Sequence, residues 1–476
     1  MSPLPTVFDA WSTACTYADA LGIPFAGVDA WRARQSMRLA QLLRDVAPRS
    51  RLYQQRLAAA GPSGTPHERL SRMEPVCKRE LMQHFDAWVT DAALSLPALR
   101  AFTRDPARRG EAFLGRYLVW ESSGSSGEPA LFVQDARSLA VWDALEATRG
   151  PVSRAGAPVP WGQAMRIAYV GATEGHFAGV VAFERSRTLN PWLGAASRSF
   201  SFLQPLEQLV VQLQAFAPTV LASYPSMAWV LAQEQAAGRL SLALEGVWTG
   251  GETLSPSVRR VLGAHFESAV HDSYGASECF LIANECRCGR LHLNADWVLL
   301  EPVDARGRPV GPGEAGETTL LTNLANHVQP MIRYDLGDRV RFAPEGCACG
   351  SSLPLIEVQG RSDDLLSLDD GQGQTVHLAP LALTTVLEDE AGVFDFQLRQ
   401  RGPRSLRLVL YPCADVEQAS QRATHALRAY LRHCGLGSIR LDVRRALQPA
   451  AHERSGKRRR VIHDPGEAAR VRGGRA

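Results

Sequence analysis

The chain begins with apolar positions at helical spacing. Over residues 30–60 (AWRARQSMRLAQLLRDVAPRSRLYQQRLAAA) they recur every three or four residues, and Trp31, Met37, Leu39, Leu42 and Leu43 fall on one predicted stripe. From about residue 115 the pattern changes. Short apolar runs bounded by Gly and Pro (RYLVWE, MRIAYVGA, TVLASYP, EGVWTGGE) alternate with longer helical stretches such as LEQLVVQLQAF and MAWVLAQEQAA. Strands joined by crossover helices produce that alternation, so it predicts an α/β architecture.

Beyond residue 290 the runs shorten and pair. LHLNADWVLLEPVDARGRPV reads as a hairpin turning in DARGRP, and ETTLLTNL as the next strand. QGRSDDLLSL is a polar crossing, followed by a helix (PLALTTVLEDE), two strands (FDFQLRQ, SLRLVLYP), a helix (QASQRATHALRAYLRHCG) and a strand (IRLDVRRA). The expected organisation is a large domain over residues 1–360, α/β subdomains plus a β region, and a small C-terminal α+β domain over 361–476. There is no internal repeat, and RVRGGRA reads as a frayed end.

Composition agrees with two units: 476 residues exceed what one core usually supports, roughly 250 to 300. A charged content of 21% and a formal net charge of +3 imply neither a disordered chain nor one built around nucleic acid. The N-terminus lacks a basic start and an unbroken apolar run, and no stretch reaches about 18 apolar residues, so the expectation is a cytoplasmic chain without a membrane partner. Nine cysteines then read as thiols or metal ligands. Of 52 Lys and Arg residues only Lys78 and Lys457 are lysine. Lys457 stands beside three arginines in SGKRRR, where a compact ammonium on a flexible stem is either a chemical requirement or a remnant of a solvated tail.

Three segments carry candidate chemistry. ESSGSSGEPA (121–130) follows the strand-like YLVW with hydroxyls and glycines that suit a polyphosphate, although a Ser/Gly run also serves as a linker and no GK[ST] makes it a Walker loop. HDSYGASECF sets Tyr274 and Glu278 around a small-residue turn after the strand-like FESAV; the carboxylate could hold Mg²⁺ and the ring could stack near a nucleotide. IRYDLGDRV puts Asp338 after a glycine turn, where a carboxylate accepts two ribose hydroxyls.

In this order, with SGK near the end, these segments resemble the adenylate-forming superfamily of acyl-CoA synthetases, adenylation domains and luciferases, and within it the phenylacetate-CoA ligase and coenzyme F390 synthetase branch. SSGSSGEP resembles the phosphate loop, TGGET the adenine-side GxE element, DSYGASE the YGxSE motif, YDLGD the ribose Asp, GRSDD the hinge and SGKRRRVI the catalytic-lysine motif, over about residues 75–465. The resemblance implies that Ser122, Ser123, Gly124, Ser125, Ser126 and Gly127 wrap the ATP phosphates and that Glu278 binds Mg²⁺. Gly251, Glu252, Asp272, Ser273 and Tyr274, with Ser277 beside them, would line the nucleotide, and Asp338 and Arg361 would hold the ribose. Lys457 would bridge the substrate carboxylate and the α-phosphate, and the small domain would turn about Asp363 for thiol attack. Two departures stand out: Glu128 where the family's loop commonly carries lysine, and LSLDDGQGQTVHLAP after the hinge, unlike the family's glycine-centred turn.

ECRCGRLH and GCACG gather Cys286, Cys288, His292, Cys347 and Cys349, soft and borderline donors that suit a structural, tetrahedral Zn²⁺. On the branch's pattern the ligands are Cys286, His292, Cys347 and Cys349, with Cys288 the competitor. Tyr169, His176, Phe177, Tyr224 and Trp248 suit a flat apolar acid, or else ordinary core. The expected activity is ATP-dependent conversion of an aryl-like acid to its acyl-AMP and transfer to coenzyme A, or to a carrier-protein phosphopantetheine or another nucleophile. The alternative of another class is a zinc-stabilised binding or scaffold protein without turnover. Expected partners are the small carboxylic acid, with an acyl carrier protein and a second copy as a homodimer as further candidates, and no nucleic acid.

Overall fold

The computed structural model describes residues 7–122, 130–150, 165–252, 254, 256–304, 306–314, 316–358, 366–378, 382–383, 386–393, 396–411, 415–446 and 461–463. Ser123–Gly127, Glu128, Arg361, Asp363, Lys457 and the C-terminal tail lie outside these residues.

The lead-in is two helices, Val28–Val46 and Arg51–Ala59, the second capped by Ser50 Oγ, which accepts from Tyr53 N at 3.3 Å. Trp31, Leu39, Leu42 and Leu43 face inward, but Met37 is 60% exposed. Six residues from Trp31 is a rotation of roughly 240°, so Met37 points away, and the stripe is completed by Gln35 and Arg38. Their polar ends are satisfied. Gln35 Nε2 donates to Ala295 O at 2.5 Å, and Arg38 donates to Asp296 O at 2.6 Å while lying 3.4 Å over the Trp297 ring.

Two strands come first, β1 (Leu118–Glu121) and β2 (Leu131–Gln134), paired antiparallel. The dominant feature is a nine-stranded mixed sheet. Its parallel half comprises β3 (Ile167–Gly171), β4 (Ser197–Ser201), β5 (Val220–Ser223), β6 (Gly246–Gly250) and β7 (Ala269–Ala276), in the order 4-3-5-6-7. Helices Ala178–Leu189, Leu206–Phe216, Pro225–Ala236 and Pro256–Phe266 make the crossovers, as the alternating pattern predicts. Antiparallel β8 (Cys279–Glu285) and β9 (Leu291–Leu293) extend the sheet from β7.

The hairpin expected in LHLNADWVLLEPVDARGRPV is divided between two sheets. Its first part is β9; its second, β10 (Val298–Val303), pairs with β11 (Thr318–Asn323), which pairs with β12 (Tyr334–Asp335). The DARGRP turn forms, with Asp304 Oδ1 accepting from Arg306 N and Arg308 N at 2.8 and 3.0 Å. Its returning arm makes one bridge, Val303 to Pro309, since proline cannot donate to a ladder. β13 (Val340–Phe342) and β14 (Leu355–Val358) close the large sheet against β9.

β15 (Leu366–Asp369) and β16 (Thr375–Leu378) form a hairpin. β17 (Phe396–Gly402), β18 (Ser405–Leu410), β19 (Arg440–Arg445) and β20 (Val461–His463) form a sheet ordered 19-18-17-20, and helix Val416–His433 turns Ala423, Leu427 and Leu431 into the core. In PLALTTVLEDE, expected as a helix, Ala382 and Leu383 are α-helical and Val386–Glu390 form a π-helical turn.

Candidate functional site

The parallel register aligns two of the motifs. Thr249 sits opposite Asp272 and Gly250 opposite Ser273, so TGGET and DSYGASE leave the sheet side by side at the carboxyl ends of β6 and β7, where open α/β sheets hold ligands. Thr249 Oγ1 donates to Asp272 Oδ1 at 2.7 Å and Ser273 Oγ to Thr249 O at 3.2 Å. Gly251 has φ of +79°, and a Cβ there would lie 2.9 Å from Tyr224 Cε1, so the turn needs glycine twice over. Burial raises the Asp272 carboxyl to about 7, against the Thr249 hydrogen bond that lowers it. Its backbone N donates at 2.5 Å to Glu285, which Arg259 pairs at 2.6 Å.

DSYGASE is itself the end of a hairpin, with Tyr274 still in β7 and the turn at Ser277 and Glu278 before β8. Trp120 Nε1 donates to Ser277 O at 2.8 Å, fastening this turn to β1. Two tyrosines connect it to YDLGD: Tyr274 Oη donates to Asp338 Oδ2 at 2.7 Å, and Tyr334 Oη to Glu278 Oε1 at 2.6 Å. Arg333, immediately before Tyr334, has φ of +48° and is held there by Thr322 Oγ1 on its backbone N at 3.0 Å and by Glu301 at 3.2 Å. The sequence pointed to Asp338 in this segment; it gave no sign that Tyr334 orients Glu278.

Of the residues expected to form a phosphate loop, Ser122 is described. It is buried at the end of β1; its N donates to Ala130 O at 2.8 Å, and its Oγ accepts from Ala130 N at 3.0 Å and from Lys78 Nζ at 2.8 Å. The loop before Lys78 is tied to the same neighbourhood, Val76 N donating to Arg333 O at 3.0 Å and Asp335 N to Val76 O at 2.9 Å.

Among the residues expected to face the acid, Tyr169 stacks on Phe183 at 5.2 Å and shares a hydrogen bond with Tyr224. Gly171 and Gly179 lack the Cβ that would strike the Tyr169 ring or hydroxyl, at 2.6 and 2.4 Å. His176 does not join them. It is fully buried with Nε2 against Asp105 O at 2.8 Å and its ring against Phe102, and burial lowers its pKa.

The cysteine-rich segments meet. Cys286 Sγ lies 3.7 Å from Cys347 Sγ and Cys349 Sγ 3.3 Å from His292 Nε2, and all four donor atoms fall within 4.8 Å of one another. A tetrahedral zinc with bonds of about 2.0–2.3 Å separates its ligands by roughly 3.3–3.8 Å, so the donor set fits. His292 Nδ1 lies 2.9 Å from Leu353 O, which orients the ring. Each CxCG segment is a turn closed by a positive-φ glycine: Gly289 N donates to Cys286 O at 2.9 Å, and Gly350 N to Cys347 O at 3.1 Å. Cys288 is exposed and outside the group.

Residues 191–322 match the family described as AMP-binding enzyme. The phenylacetate-coenzyme A ligase of Thermus thermophilus is 28% identical over 353 residues, 70% of this chain and 71% of that one. Among solved structures, 2-hydroxyisobutyryl-CoA ligase with 2-HIB-AMP and CoA in the thioesterification state superposes with a TM-score of 0.56 at 21% identity, covering 93% of this chain and 91% of that one. The same enzyme in the postadenylation state gives 0.54 at 20% identity, covering 96% and 94%. Family match, relative and fold are all consistent with the adenylate-forming superfamily.

Proposed function

We propose, from the premise of an adenylate-forming fold, that this enzyme activates an aryl or aryl-like carboxylic acid with ATP and passes the acyl group to the thiol of coenzyme A. The observation that carries the reading is the convergence of TGGET, DSYGASE and YDLGD, sealed by the Tyr274–Asp338 and Tyr334–Glu278 hydrogen bonds. A carboxylate oxygen of the acid attacks the α-phosphorus, the bond to the bridging oxygen breaks and pyrophosphate leaves. The thiol sulfur then attacks the acyl carbon, the bond to AMP breaks and the thiol proton passes to solvent.

Gly251, Glu252, Asp272, Ser273, Tyr274 and Ser277 line the nucleotide in this reading, Asp338 and Arg361 take the ribose hydroxyls, and residues 122–127 hold the phosphates. Lys457 carries the charge that stabilises the α-phosphorus as it becomes pentavalent, from a domain over 361–476 that turns about Asp363. Magnesium held by Glu278 would neutralise phosphate oxygens. Zinc on Cys286, His292, Cys347 and Cys349 would be structural, since four protein ligands leave no open position, and would fasten β8 and β9 to the segment before β14. Tyr169, Tyr224 and the glycines beside them support a flat apolar substrate. The free thiols among the described cysteines support a reducing, cytoplasmic setting.

The test is ATP–pyrophosphate exchange over a panel of aryl acids, followed by mass spectrometry of the products with coenzyme A present. Exchange with an aryl acid and its CoA thioester as product are expected. Bound nucleotide without exchange for any acid would favour the scaffold alternative, and exchange without a CoA thioester would move the acceptor to a carrier protein or another nucleophile.

A further inference from the structure

Helix Ala10–Leu21, well before the candidate site in the chain, is patterned inside out. At about 100° per residue, Trp11, Ala14, Cys15, Ala18 and Leu21 fall within an arc of about 120° that holds no charged residue. All five are exposed. The polar residues Ser12, Thr13, Thr16 and Asp19 lie on the other side, half-buried, where their groups find partners. Thr13 Oγ1 donates to Asp9 O at 2.8 Å, Thr16 Oγ1 to Ser12 O at 2.7 Å, and Asp19 Oδ1 accepts from Arg34 Nε at 2.8 Å. Fraying does not explain the exposure, because both ends of the helix are pinned. Arg185 Nε donates to Val7 O at 3.1 Å before it, and Ser352 N to Pro24 O at 2.6 Å after it.

The open face is large. Phe8, Trp11, Tyr17, Leu21 and Phe25 are between 41% and 79% exposed. With the small residues between them they present roughly 700 Å² of apolar surface, more than a monomer's largest patch usually holds and close to the roughly 800 Å² that each partner buries in a standard interface.

The order of side-chain sizes favours one occupant. Counted outward from Thr16, Ala14 and Ala18 stand two residues away, Trp11 and Leu21 five, and Phe8 and Phe25 eight and nine. Two copies packed antiparallel about a two-fold axis at the level of Thr16 therefore set alanine beside alanine and large side chain beside large. Small residues at the centre let the helices approach to about 8 Å, and an isologous interface has to match itself in this way. A partner of different sequence requires no such symmetry.

We infer that Ala10–Leu21, with Phe8 and Phe25, is the surface through which two copies of this chain pair. The inference goes beyond the proposed function and does not depend on it.

Sedimentation equilibrium of the full, reduced chain tests it, from about 1 to 100 μM, because the mass of a reversible dimer depends on concentration. The unaltered protein should approach twice the chain mass. Ala18→Glu sets a carboxylate in the centre of the interface and should raise the dissociation constant at least roughly a hundredfold. Its circular dichroism should stay unchanged, since the position is exposed and glutamate forms helix nearly as well as alanine. Val211→Glu, at an exposed apolar position in helix Leu206–Phe216, should change the constant by less than about threefold. Cys15 is exposed one residue from the axis, so a short bismaleimide should join two chains there, and Cys15→Ser should abolish that product. A chain that stays monomeric throughout overturns the inference, and binding of that monomer to neutral phosphatidylcholine vesicles would give the face to a lipid surface instead. A dimer indifferent to Ala18→Glu, or one that yields no Cys15 cross-link, overturns it as well, by placing the interface elsewhere.

Discussion

Replacing Asp272 with Asn removes a carboxyl that burial raises from 3.8 to about 7, and the fold should register its loss as a change in the pH dependence of stability. The sign follows from the proton balance. Below about pH 4 folded and unfolded chains both hold the proton. Between pH 4 and 7 the folded chain keeps a proton that the unfolded chain releases, so the carboxyl makes stability fall as pH rises, and above about 7 the loss is complete. At about 1.4 kcal/mol per pH unit, that span sets an upper bound of about 4 kcal/mol, and relaxation around the ionised group reduces the expected loss to about 2 kcal/mol. Asn keeps an oxygen for the Thr249 hydroxyl, which sits 2.7 Å from Asp272 Oδ1, so the exchange removes the titration with little change in packing. Glu285 and Arg259, the charged neighbours, remain in both proteins. Urea unfolding at half-unit intervals from pH 4.5 to 8 is the assay. The unaltered protein should lose about 2 kcal/mol more than Asp272→Asn over that range, whereas parallel profiles would refute the claim that Asp272 is held protonated by burial.

Lys457→Arg is expected to abolish pyrophosphate exchange with circular dichroism and melting unchanged, because a planar guanidinium is not interchangeable with a compact ammonium in the bridging role proposed for Lys457; near-normal exchange would end that role. Tyr334→Phe removes the 2.6 Å hydrogen bond to Glu278 without creating a cavity, and a bond to a carboxylate is worth about 1.5–3 kcal/mol. The magnesium concentration needed for half-maximal exchange should rise roughly ten- to hundredfold, and an unchanged requirement would separate Glu278 from the metal. With zinc proposed on the Cys286, His292, Cys347 and Cys349 donor set, Cys347→Ser should lower the zinc bound per chain, with affinity down more than roughly a hundredfold and a lower melting temperature. Unaltered zinc content by elemental analysis, with unaltered melting, would refute a structural site.

Helix and strand order in the parallel half was readable because burial and backbone geometry impose local periods: LEQLVVQLQAF and TVLASYP declare themselves without reference to partners. The motifs were readable for a related reason, since glycines, hydroxyls and carboxylates stand at fixed offsets along the chain and Gly251 meets a backbone requirement at φ of +79°. Where pairing is long-range the local pattern misled. The strands of LHLNADWVLLEP separate into two sheets because β9 pairs with β8 and β14 while β10 pairs with β11, and a hydropathy pattern declares a strand without naming its partner. Met37 satisfied a hydropathy count but not the rotation about its helix, and His176 offered a ring that the fold commits to Asp105.

The sequence by itself determined the residue types of the site and their order, including five metal-type donors in two knuckles and two lysines among many arginines. Only the tertiary structure decided which of them meet. It brought Cys286, His292, Cys347 and Cys349 within 4.8 Å of one another, set Tyr274 against Asp338 and Tyr334 against Glu278, and brought Lys78 to Ser122. The physical reason is that each of these contacts spans dozens of residues and is fixed by strand register and crossover geometry, so composition and spacing supply the chemical groups while the packed sheet supplies their distances.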